Sequence, residues 1–443
     1  MSTDYWLERA LLADGVSDSV LVTVQDGRFT AVEKDVTAAA STANRLAGLT
    51  VPGLANCHSH AFHRALRGRT QRERGTFWTW REQMYAVAVR LTPDSYFELA
   101  RATYREMAAS GITGVGEFHY LHHGPDGTPY DNPNAMGLAL VAAAQDAGIR
   151  ITLLDTCYLA AGIGHPPEGV QVRYSDGDAL NWSDRVEALS SAVGPGVVVG
   201  AALHSVRAVP RDQIGPVAGW AAARDAPLHL HLSEQVAENE ACLAAYAMTP
   251  TEVFAEAGAL GSRSTAVHAT HLTTGDIELL GGSGTSACFC PTTERDLGDG
   301  IGPSRALREA GARLTLGSDS HAVIDPFEEM RAMEMDERLA TRERGHWPAE
   351  ALLAAGTYDG HGSLGFPDAG RIEVGGRADL VTLDTSTPRT AGTGGGAETV
   401  VFAATGADVV HVLVDGRVVV TGDDHRDIGN DLDRAVSALW KEG

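Results

Sequence analysis

With 443 residues, of which 44% are hydrophobic and 21% charged, the chain has the composition of a globular enzyme and room for a large domain plus a smaller one. Its 58 acidic residues against 35 basic ones give a formal net charge of -23. This balance argues against nucleic acid as a partner, because phosphate backbones are bound by basic surfaces, whereas a few arginines in a pocket can still attract an anionic substrate.

The N-terminal segment MSTDYWLERALL has neither the basic start nor the long apolar run of a secretory leader. No apolar run in the sequence reaches the roughly 20 residues that a membrane span requires. The five cysteines contain no CxxC pair, which is typical of free thiols in a reducing compartment. We therefore expect a cytoplasmic protein that has no membrane contact.

Both ends of the chain have the pattern of small antiparallel sheets. Residues 18–33 predict a hairpin that turns at Asp26-Gly27, and HVLVDGRVVVTG predicts another that turns at Asp415-Gly416. Residues 370–384 and 398–404 are also strand-like. We expect one β-sandwich built from residues 1–50 and 368–443, with a helix at the C-terminus that packs on the outside.

Residues 51–367 alternate between strand and helix patterns. Thr92-Pro93 and Asp131-Asn132-Pro133 are expected helix starts. The strand candidates end near His58, Glu117, Cys157, His204, Ser233, His268, Cys290 and Asp319. Eight strand–helix units predict an α/β fold of the (β/α)8 TIM-type barrel class. A doubly wound open sheet is the alternative, but no GxGxxG follows the first strand.

Histidines and one aspartate stand at the ends of four of these strands. His58 and His60 form an HxH pair, and alternate residues of a strand face the same side. His231 ends the fifth strand, and Asp319 follows the eighth. Since the strand ends of a barrel converge on one mouth, we expect these four side chains to bind one divalent metal. His268, at the end of the sixth strand, is expected to be a fourth nitrogen ligand or a hydrogen-bond donor to the reacting group.

A single metal is favoured over a pair. Two-metal barrels commonly use a carbamylated lysine on the fourth strand, and the only lysines of this chain are Lys34 and Lys441. The fourth strand ends in ALHS, which contains no acid that could replace that bridge. Zinc is expected because imidazole ligands and hydrolytic chemistry suit it. We do not expect the other histidines of these segments to be ligands, and we place them in solvent, in a loop or behind the ligands: His119, His122, His123, His271 and His321.

At this point the chain resembles a known group of enzymes. HxH after strand one, histidines after strands five and six and Asp after strand eight resemble the amidohydrolase superfamily. The segments NCHSHAFHRALRGR, HLSEQVAEN, VHATHL, CFCPTTERDLGDG and LGSDSH are similar to the formimidoylglutamate deiminase family of histidine degradation. The match covers most of the chain. One departure is His63, where many members of that family carry Gln, and this position lies near the active site.

The resemblance implies a hydrolytic deiminase that converts N-formimino-L-glutamate to N-formyl-L-glutamate and ammonia. A divalent metal makes hydroxide available at neutral pH, and Asp319 is placed to accept the proton. Glu234 follows His231 by three residues, and in the resembling family the matching Glu moves a proton to the departing nitrogen. His268 is expected to help hold the tetrahedral centre. The family resemblance also suggests a homodimer.

Such a dianionic substrate calls for several cations or donors in the pocket, and arginine binds carboxylates in a bidentate way. The candidates near strand ends are Arg81, Tyr120, His204 and Arg207, and by resemblance these four match substrate-binding positions of the family. His63 is added as a fifth candidate because of its place in the first motif. Trp78 and Trp80, in the same segment as Arg81, are expected either to cap the pocket or to pack against the barrel.

Three other functions remain open. The main alternative is an amidohydrolase-superfamily deaminase of an aminated heterocycle, whose pocket would need fewer arginines and more aromatic stacking. An amide or lactam hydrolase of the dihydroorotase type is disfavoured by the missing lysine. A metal-dependent binding protein without catalysis would be indicated by a lost ligand, yet all expected ligands are present.

Overall fold

The computed structural model describes residues 2–37, 42–71, 75 and 77–440. In chain order the strands are β1 (Ser2–Leu12), β2 (Gly15–Gln25), β3 (Arg28–Glu33), β4 (Asn44–Pro52), β5 (Leu54–Ser59), β6 (Ile112–His119), β7 (Arg150–Cys157), β8 (Val197–Leu203), β9 (Leu228–Leu232), β10 (Ser264–His268), β11 (Ser286–Phe289), β12 (Leu314–Leu316), β13 (Leu380–Leu383), β14 (Val409–Val414) and β15 (Arg417–Thr421).

The α-helices lie mostly between the strands of the middle region. They are α1 (Phe77–Ala88), α2 (Pro93–Ala109), α3 (Ala135–Ala147), α4 (Ala179–Ala192), α5 (Arg211–Ala223), α6 (Val236–Tyr246), α7 (Pro250–Glu256), α8 (Thr274–Ser283), α9 (Pro291–Leu297), α10 (Ser304–Ala310), α11 (Pro326–Thr341), α12 (Ala349–Gly356), α13 (Tyr358–Ser363), α14 (Ala397–Phe402) and α15 (His425–Trp440). No helix of the described ranges is long and apolar enough to cross a membrane.

Strands β5 to β12 form the barrel, and each pairs in parallel with the next strand along the chain. A parallel bridge between Ser59 and Asp319 joins the last strand to the first. The Asp319 backbone N–H also donates to the His58 carbonyl at 3.0 Å, so the closure of the barrel brings two predicted metal ligands together. The predicted (β/α)8 architecture is confirmed, and all eight strand ends lie within three residues of the predicted positions.

Of the two predicted helix starts, one agrees with the structure and the other lies slightly before the observed helix. Thr92 caps α2 in a reciprocal capping box with Ser95, and Pro93 is the first helical residue, as expected. The third helix, α3, begins two residues after Pro133. The Asn132 side chain accepts the Asn134 backbone N–H at 3.0 Å, and this local turn delays the start of the helix.

The two chain ends together build one seven-stranded sheet, in the order β15-β14-β13-β4-β1-β2-β3. Both predicted hairpins are confirmed. The turn residues have the positive φ angles typical of tight hairpins, 51° at Asp26 and 78° at Gly27 in the first, and 47° at Asp415 and 71° at Gly416 in the second. The Tyr5 hydroxyl in β1 donates to the Gly416 carbonyl, beyond β14, at 2.9 Å, which indicates that the sheet curls. Buried residues such as Leu7, Val22 and Leu380 form a core of their own, whereas others such as Leu49 and Val381 belong to the core of the barrel.

One predicted strand is wrong, and two strands of the sheet are not predicted. Residues 398–404 contain helix α14 instead of a strand. Ala397, Val400, Val401 and Ala404 are buried, and this spacing of three and four residues is that of a helical face. Within 370–384 only Leu380–Leu383 is a strand. The strands not predicted are β1 and β4, which pair with each other, while β1 also pairs with β2 and β4 with β13.

The sheet and the barrel meet directly. Only Gly53 separates β4 from β5, and a Cβ atom at this position would run into the side chains of Thr113 and Asp379. Arg150, at the start of barrel strand β7, forms a buried ion pair with Asp379 beside β13. The terminal helix α15 packs on the outside of the barrel, where the Trp440 indole N–H donates to the Ala65 carbonyl at 2.9 Å.

Candidate active site

The four predicted metal ligands converge at the mouth of the barrel. The Nε2 atoms of His58 and His231 are 3.0 Å apart. Asp319 Oδ1 lies 3.3 Å from Nε2 of His58 and 3.3 Å from Nε2 of His60. All four residues are buried. The predicted set is therefore brought together from three barrel strands, β5, β9 and β12, that are far apart in sequence.

His268 joins this group from β10. With His58 and His231 it forms a second triad whose ligand atoms lie within 4.8 Å of one another. Its Nε2 is 3.9 Å from Asp319 Oδ2 and 3.9 Å from Glu234 Oε1. The geometry is compatible with both predicted roles, that of a ligand and that of a hydrogen-bond donor. His268 and Asp319 both have positive φ angles, 69° and 40°, at the points where their strands end and the backbone turns.

The donor set fits a divalent cation. Burial lowers the pKa of His58 to about 3, and burial likewise lowers the pKa of His231, so both imidazoles are neutral and present lone pairs. Two neutral nitrogens 3.0 Å apart can share only one hydrogen. Burial opposes the charge of Asp319, but hydrogen bonds from His58 and His60 hold the pKa of this carboxyl well below its usual range. Neutral imidazoles around an ionised carboxylate are the donors that zinc prefers.

Hydrogen bonds from the barrel wall fix the orientation of the predicted ligands. His60 Nδ1 lies 2.9 Å from the Phe118 carbonyl oxygen, so Nε2 is the atom left to face the other ligands. The Phe118 ring stacks on the His231 imidazole at 4.4 Å between centroids. The Asn56 amide donates to Ser318 Oγ at 2.7 Å, and the Ser318 backbone N–H donates back at 2.9 Å, which holds the turn before Asp319.

Glu117 is a buried carboxyl group that the sequence analysis did not select. Its two oxygens accept hydrogen bonds from Ser59 Oγ and from the Ala61 backbone N–H, both at 2.6 Å, on either side of His60. Burial raises the pKa of Glu117 to about 7, against the lowering effect of those hydrogen bonds. A lone acid in the buried strand GVGEFH was the available signal, because an acid inside an apolar run needs partners.

Glu294 and Asp299 are two further acids near the site, from the segment CPTTERDLGDG. Glu294 Oε1 lies 3.5 Å from His268 Nδ1 and accepts the Cys290 backbone N–H at 2.9 Å. Burial raises the pKa of Asp299 to about 8, and Glu234 adds to this rise. Glu294 thus contacts His268, and Asp299 lies close enough to Glu234 for one carboxyl group to raise the pKa of the other.

Glu234 and the predicted substrate-binding residues line one pocket above the ligands. The pocket walls include all of them: His63, Arg81, Tyr120, His204, Arg207 and Glu234. Arg207 Nε donates to buried Glu238 Oε2 at 2.7 Å, and Glu238 in turn accepts the Ser233 backbone N–H at 3.0 Å. The guanidinium is therefore held in place from behind.

Aromatic rings form much of the same pocket. His63 Nε2 lies 3.0 Å from the Tyr120 hydroxyl. The Arg81 guanidinium lies over the Trp78 ring at 4.5 Å from its centroid, and Trp80 contacts His63 with 5.0 Å between ring centroids. Trp80 lines the pocket, whereas Trp78 is 42% exposed. Of the predicted aromatic caps, only Trp80 therefore lies in the wall.

The remaining histidines lie outside the pocket. His321 is buried behind the ligands, with Nε2 3.1 Å from Ser59 Oγ, and partly buried His271 has Nε2 2.8 Å from the Asp299 carbonyl oxygen. His119, His122 and His123 belong to a separate buried cluster in which Arg185 pairs with Asp155 and Asp176. His119 ends β6 instead of lying in a loop.

Comparisons with known proteins agree with this geometry. The model of the amidohydrolase family matches residues 49–419. The chain is 38% identical over 435 residues to the formimidoylglutamate deiminase of Pseudomonas aeruginosa, covering 94% of each chain. It is 32% identical over 415 residues to a 5-methylthioadenosine/S-adenosylhomocysteine deaminase of Halobacterium salinarum, covering 91% of this chain and 89% of that one. A crystal structure of an amidohydrolase from Brucella melitensis superposes with a TM-score of 0.91 at 32% identity, covering 99% of this chain and 100% of the other.

Proposed function

Since this chain belongs to the amidohydrolase family, we propose that it hydrolyses N-formimino-L-glutamate to N-formyl-L-glutamate and ammonia, as a step of histidine degradation. The observation that carries this proposal is a single pocket that joins a His/Asp ligand set, a buried acid and two arginines. The relative from Pseudomonas aeruginosa supports the choice of a linear amidine as substrate. Every residue of the pocket wall falls within 51–367, which we propose as the catalytic unit.

One divalent ion, which we propose to be zinc, would be held by His58, His60, His231 and Asp319, with His268 beside them. When bound, such an ion polarises a water molecule and lowers its pKa toward about 7. A single ion is supported by the lack of any lysine between Lys34 and Lys441 and by the Leu203 end of β8, where no acid is available as a bridge.

The protein's own residues carry the protons. Asp319 accepts a proton from the attacking water, whose oxygen bonds to the imino carbon. Glu234 donates to the imino nitrogen, because burial raises the pKa of this carboxyl and keeps it available as an acid. Asp319 then passes its proton to the new amino group, the C–N bond breaks and ammonia leaves. The hydroxyl on the carbon gives its proton to Glu234 as the formyl C=O forms, which restores both carboxyl groups to their starting states. His268 Nε2, 3.9 Å from both carboxyl groups, stabilises the charge that develops between them.

The two carboxylates of the substrate match the charged and polar wall of the pocket. Arg207 is oriented by Glu238, and Arg81 reaches the pocket from helix α1. Bidentate pairing with a guanidinium gives carboxylate binding both strength and direction. Tyr120 and His204 add donors, and His63 reaches the Tyr120 hydroxyl, so we propose that His63 orients Tyr120 toward the substrate.

Two wider properties are part of the same proposal. We propose a homodimer that works in the cytoplasm. The five cysteines are free and buried, which supports a reducing compartment. No nucleic acid or membrane is proposed as a partner, since the formal net charge of -23 disfavours polyanionic surfaces.

A heterocycle deaminase is the second candidate, and one observation favours it. Aromatic rings of Phe77, Trp80, Tyr120 and Tyr174 line the pocket, and a relative of 32% identity is a 5-methylthioadenosine/S-adenosylhomocysteine deaminase. Aromatic walls suit planar rings. The two arginines argue for the dianion instead.

A substrate panel separates the two candidates. We would assay ammonia release by zinc-loaded enzyme from N-formimino-L-glutamate, 5-methylthioadenosine and N-carbamoyl-L-glutamate at equal concentrations. The expected result is turnover of the formimino compound alone. Faster turnover of 5-methylthioadenosine would overturn the proposal in favour of the heterocycle deaminase.

A further inference from the structure

Three tyrosines outside the expected substrate-binding set form one wall of the pocket. Tyr85, Tyr158 and Tyr174 all line it. The Tyr158 and Tyr174 rings are 5.2 Å apart between centroids, and those of Tyr85 and Tyr174 are 6.4 Å apart. The Arg81 guanidinium lies 5.5 Å from the Tyr85 ring, so this tyrosine cluster adjoins a cation proposed to bind substrate.

Gln171 determines which way the hydroxyl groups of two of these tyrosines can donate. Its Oε1 accepts the Glu168 backbone N–H at 3.2 Å, which identifies Nε2 as the donating end. Nε2 then donates to the Tyr85 hydroxyl at 2.9 Å and to the Tyr158 hydroxyl at 3.0 Å. Both phenol oxygens accept, so their own hydrogens stay available. At most one of these hydrogens can be used between the two phenols, which leaves at least one for a ligand.

The third hydroxyl has no partner at all among the residues that the structure describes. Tyr174 is 1% exposed, and its buried hydroxyl makes no hydrogen bond to the described part of the chain. A buried polar group without a partner is costly, and such groups are rare unless a ligand or water satisfies them. Burial raises the pKa of Tyr158 and of Tyr174, so both phenols keep their protons and act as donors at neutral pH.

We propose that Tyr85, Tyr158 and Tyr174 form a donor site for one carboxylate of the substrate, with Gln171 as the residue that positions two of the three hydroxyls. The inference rests on the proposed function, and it deepens it by assigning a neutral anchor beside Arg81 and Arg207. Neutral O–H donors suit a carboxylate in a buried pocket because they pair with it without adding charge to be desolvated.

The test is calorimetric binding of the product, N-formyl-L-glutamate, to zinc-loaded protein. Tyr158→Phe and Tyr174→Phe each remove one hydroxyl and keep the ring. Loss of a hydrogen bond to a charged group is expected to raise Kd about tenfold for each variant, and more for the double variant. Tyr5→Phe is the matched control, because its hydroxyl bonds to Gly416 in the terminal sheet.

Carboxamide analogues locate the contact. N-formyl-L-glutamine and N-formyl-L-isoglutamine each lack one of the two carboxylates. The analogue that lacks the anchored carboxylate should bind wild type and both Phe variants with equal Kd. The analogue that keeps this carboxylate should show the full rise in Kd in the Phe variants. Gln171→Met should raise KM for N-formimino-L-glutamate and leave kcat near the wild-type value, since a residue that only supports folding would lower active enzyme without changing KM.

Unchanged Kd in the folded double Phe variant, with folding checked by thermal unfolding, would overturn the inference. That outcome is distinct from failure of the proposed function, in which the wild type itself neither binds N-formyl-L-glutamate nor releases ammonia from the formimino compound. Equal losses for both carboxamide analogues would also overturn it, because a donor site for one carboxylate must discriminate between them.

Discussion

Glu234 is a buried carboxyl group whose surroundings favour its protonated form. Burial raises its pKa, His268 opposes this rise and Asp319 adds to it. A carboxyl group whose pKa is raised by burial is suited to protonate a departing nitrogen. At the scale of single residues, the proposed reaction therefore requires Glu234 to act as the acid and Asp319 as the base.

Replacing Glu234 by glutamine tests that division. Glutamine keeps the shape of the side chain and removes the proton that is donated, so kcat should fall about 10²- to 10⁴-fold. Zinc content, measured by atomic absorption, should equal that of wild type. The matched control is Glu240→Gln, a change at an exposed position of α6 that should leave kcat unaltered. A Glu234→Gln enzyme with wild-type kcat would remove this residue from the mechanism.

Arg207 tests the recognition of the carboxylates. Arg207→Lys keeps the charge but loses the fork that pairs with a carboxylate, and Arg207→Ala loses both. KM for N-formimino-L-glutamate should rise in both, by about tenfold or more in the alanine variant, with normal metal content. Arg211→Ala removes a half-exposed arginine that pairs with Glu256 on the surface and serves as control. An unchanged KM in both Arg207 variants would contradict the assignment.

At the scale of elements, the outer helices of the barrel depend on close backbone contacts. A Cβ atom at Gly281 in α8 would run into the carbonyl group of Ala310 at the end of α10. The next residue of the same helix, Gly282, has nothing within 4 Å of such an atom. The packing of α8 against α10 therefore requires a glycine at position 281, whereas position 282 has room for a side chain.

Paired substitutions measure the difference. Gly281→Ala should lower the free energy of unfolding by about 1–3 kcal/mol, because the two helices must move apart. Gly282→Ala should leave it unchanged or raise it by about 0.5–1 kcal/mol, since alanine loses less backbone entropy in a helix. Urea unfolding of both variants checks this. Equal destabilisation by the two substitutions would show that α8 and α10 do not make this contact.

At the scale of the whole molecule, the terminal sheet and the barrel share a buried junction. His361, in α13, lies with Nε2 3.2 Å from the Gly53 carbonyl oxygen. Burial lowers its pKa from 6.5 to about 3, with Arg150 and Arg377 adding to the effect and Asp368 opposing it. His361 is therefore neutral in the folded protein, although it would be protonated in the unfolded chain at mildly acidic pH.

This junction predicts a component of acid sensitivity. As the pH falls below 6.5, the unfolded chain binds a proton at His361 that the folded state accepts only near pH 3, so stability decreases over that window. Between pH 7 and pH 5 this residue should account for a loss of about 2 kcal/mol. His361→Gln should show a correspondingly smaller decrease in the free energy of urea unfolding. The same decrease in variant and wild type would contradict the neutral, buried assignment.

The sequence alone predicts the barrel and its ligands because both depend on local patterns. Short apolar strands end in His58, His231 and Asp319, and barrel topology then brings these residues together. Helix α14 was misjudged because Val400 and Val401 have high strand propensity, and only the packing against α11 and α12 shows a helical face.

The parts that could not be predicted depend on contacts between distant segments. Strand β1 has no turn signal before it, and its place is set by pairing with both β2 and β4. Glu117 acquires its hydrogen bonds only from Ser59 and Ala61, and the hydroxyls of Tyr85 and Tyr158 acquire theirs only from Gln171. A hydroxyl that lacks a partner is a property of the folded pocket, and no local pattern reports it.

Metal titration shows whether the proposed deiminase depends on a single zinc ion. Chelated protein would be titrated with zinc while ammonia release from N-formimino-L-glutamate is followed. Activity is expected to rise from zero, to reach a plateau at one equivalent of zinc and to be abolished in His58→Ala. Full activity of the chelated protein, or a plateau only at two equivalents, would contradict this expectation.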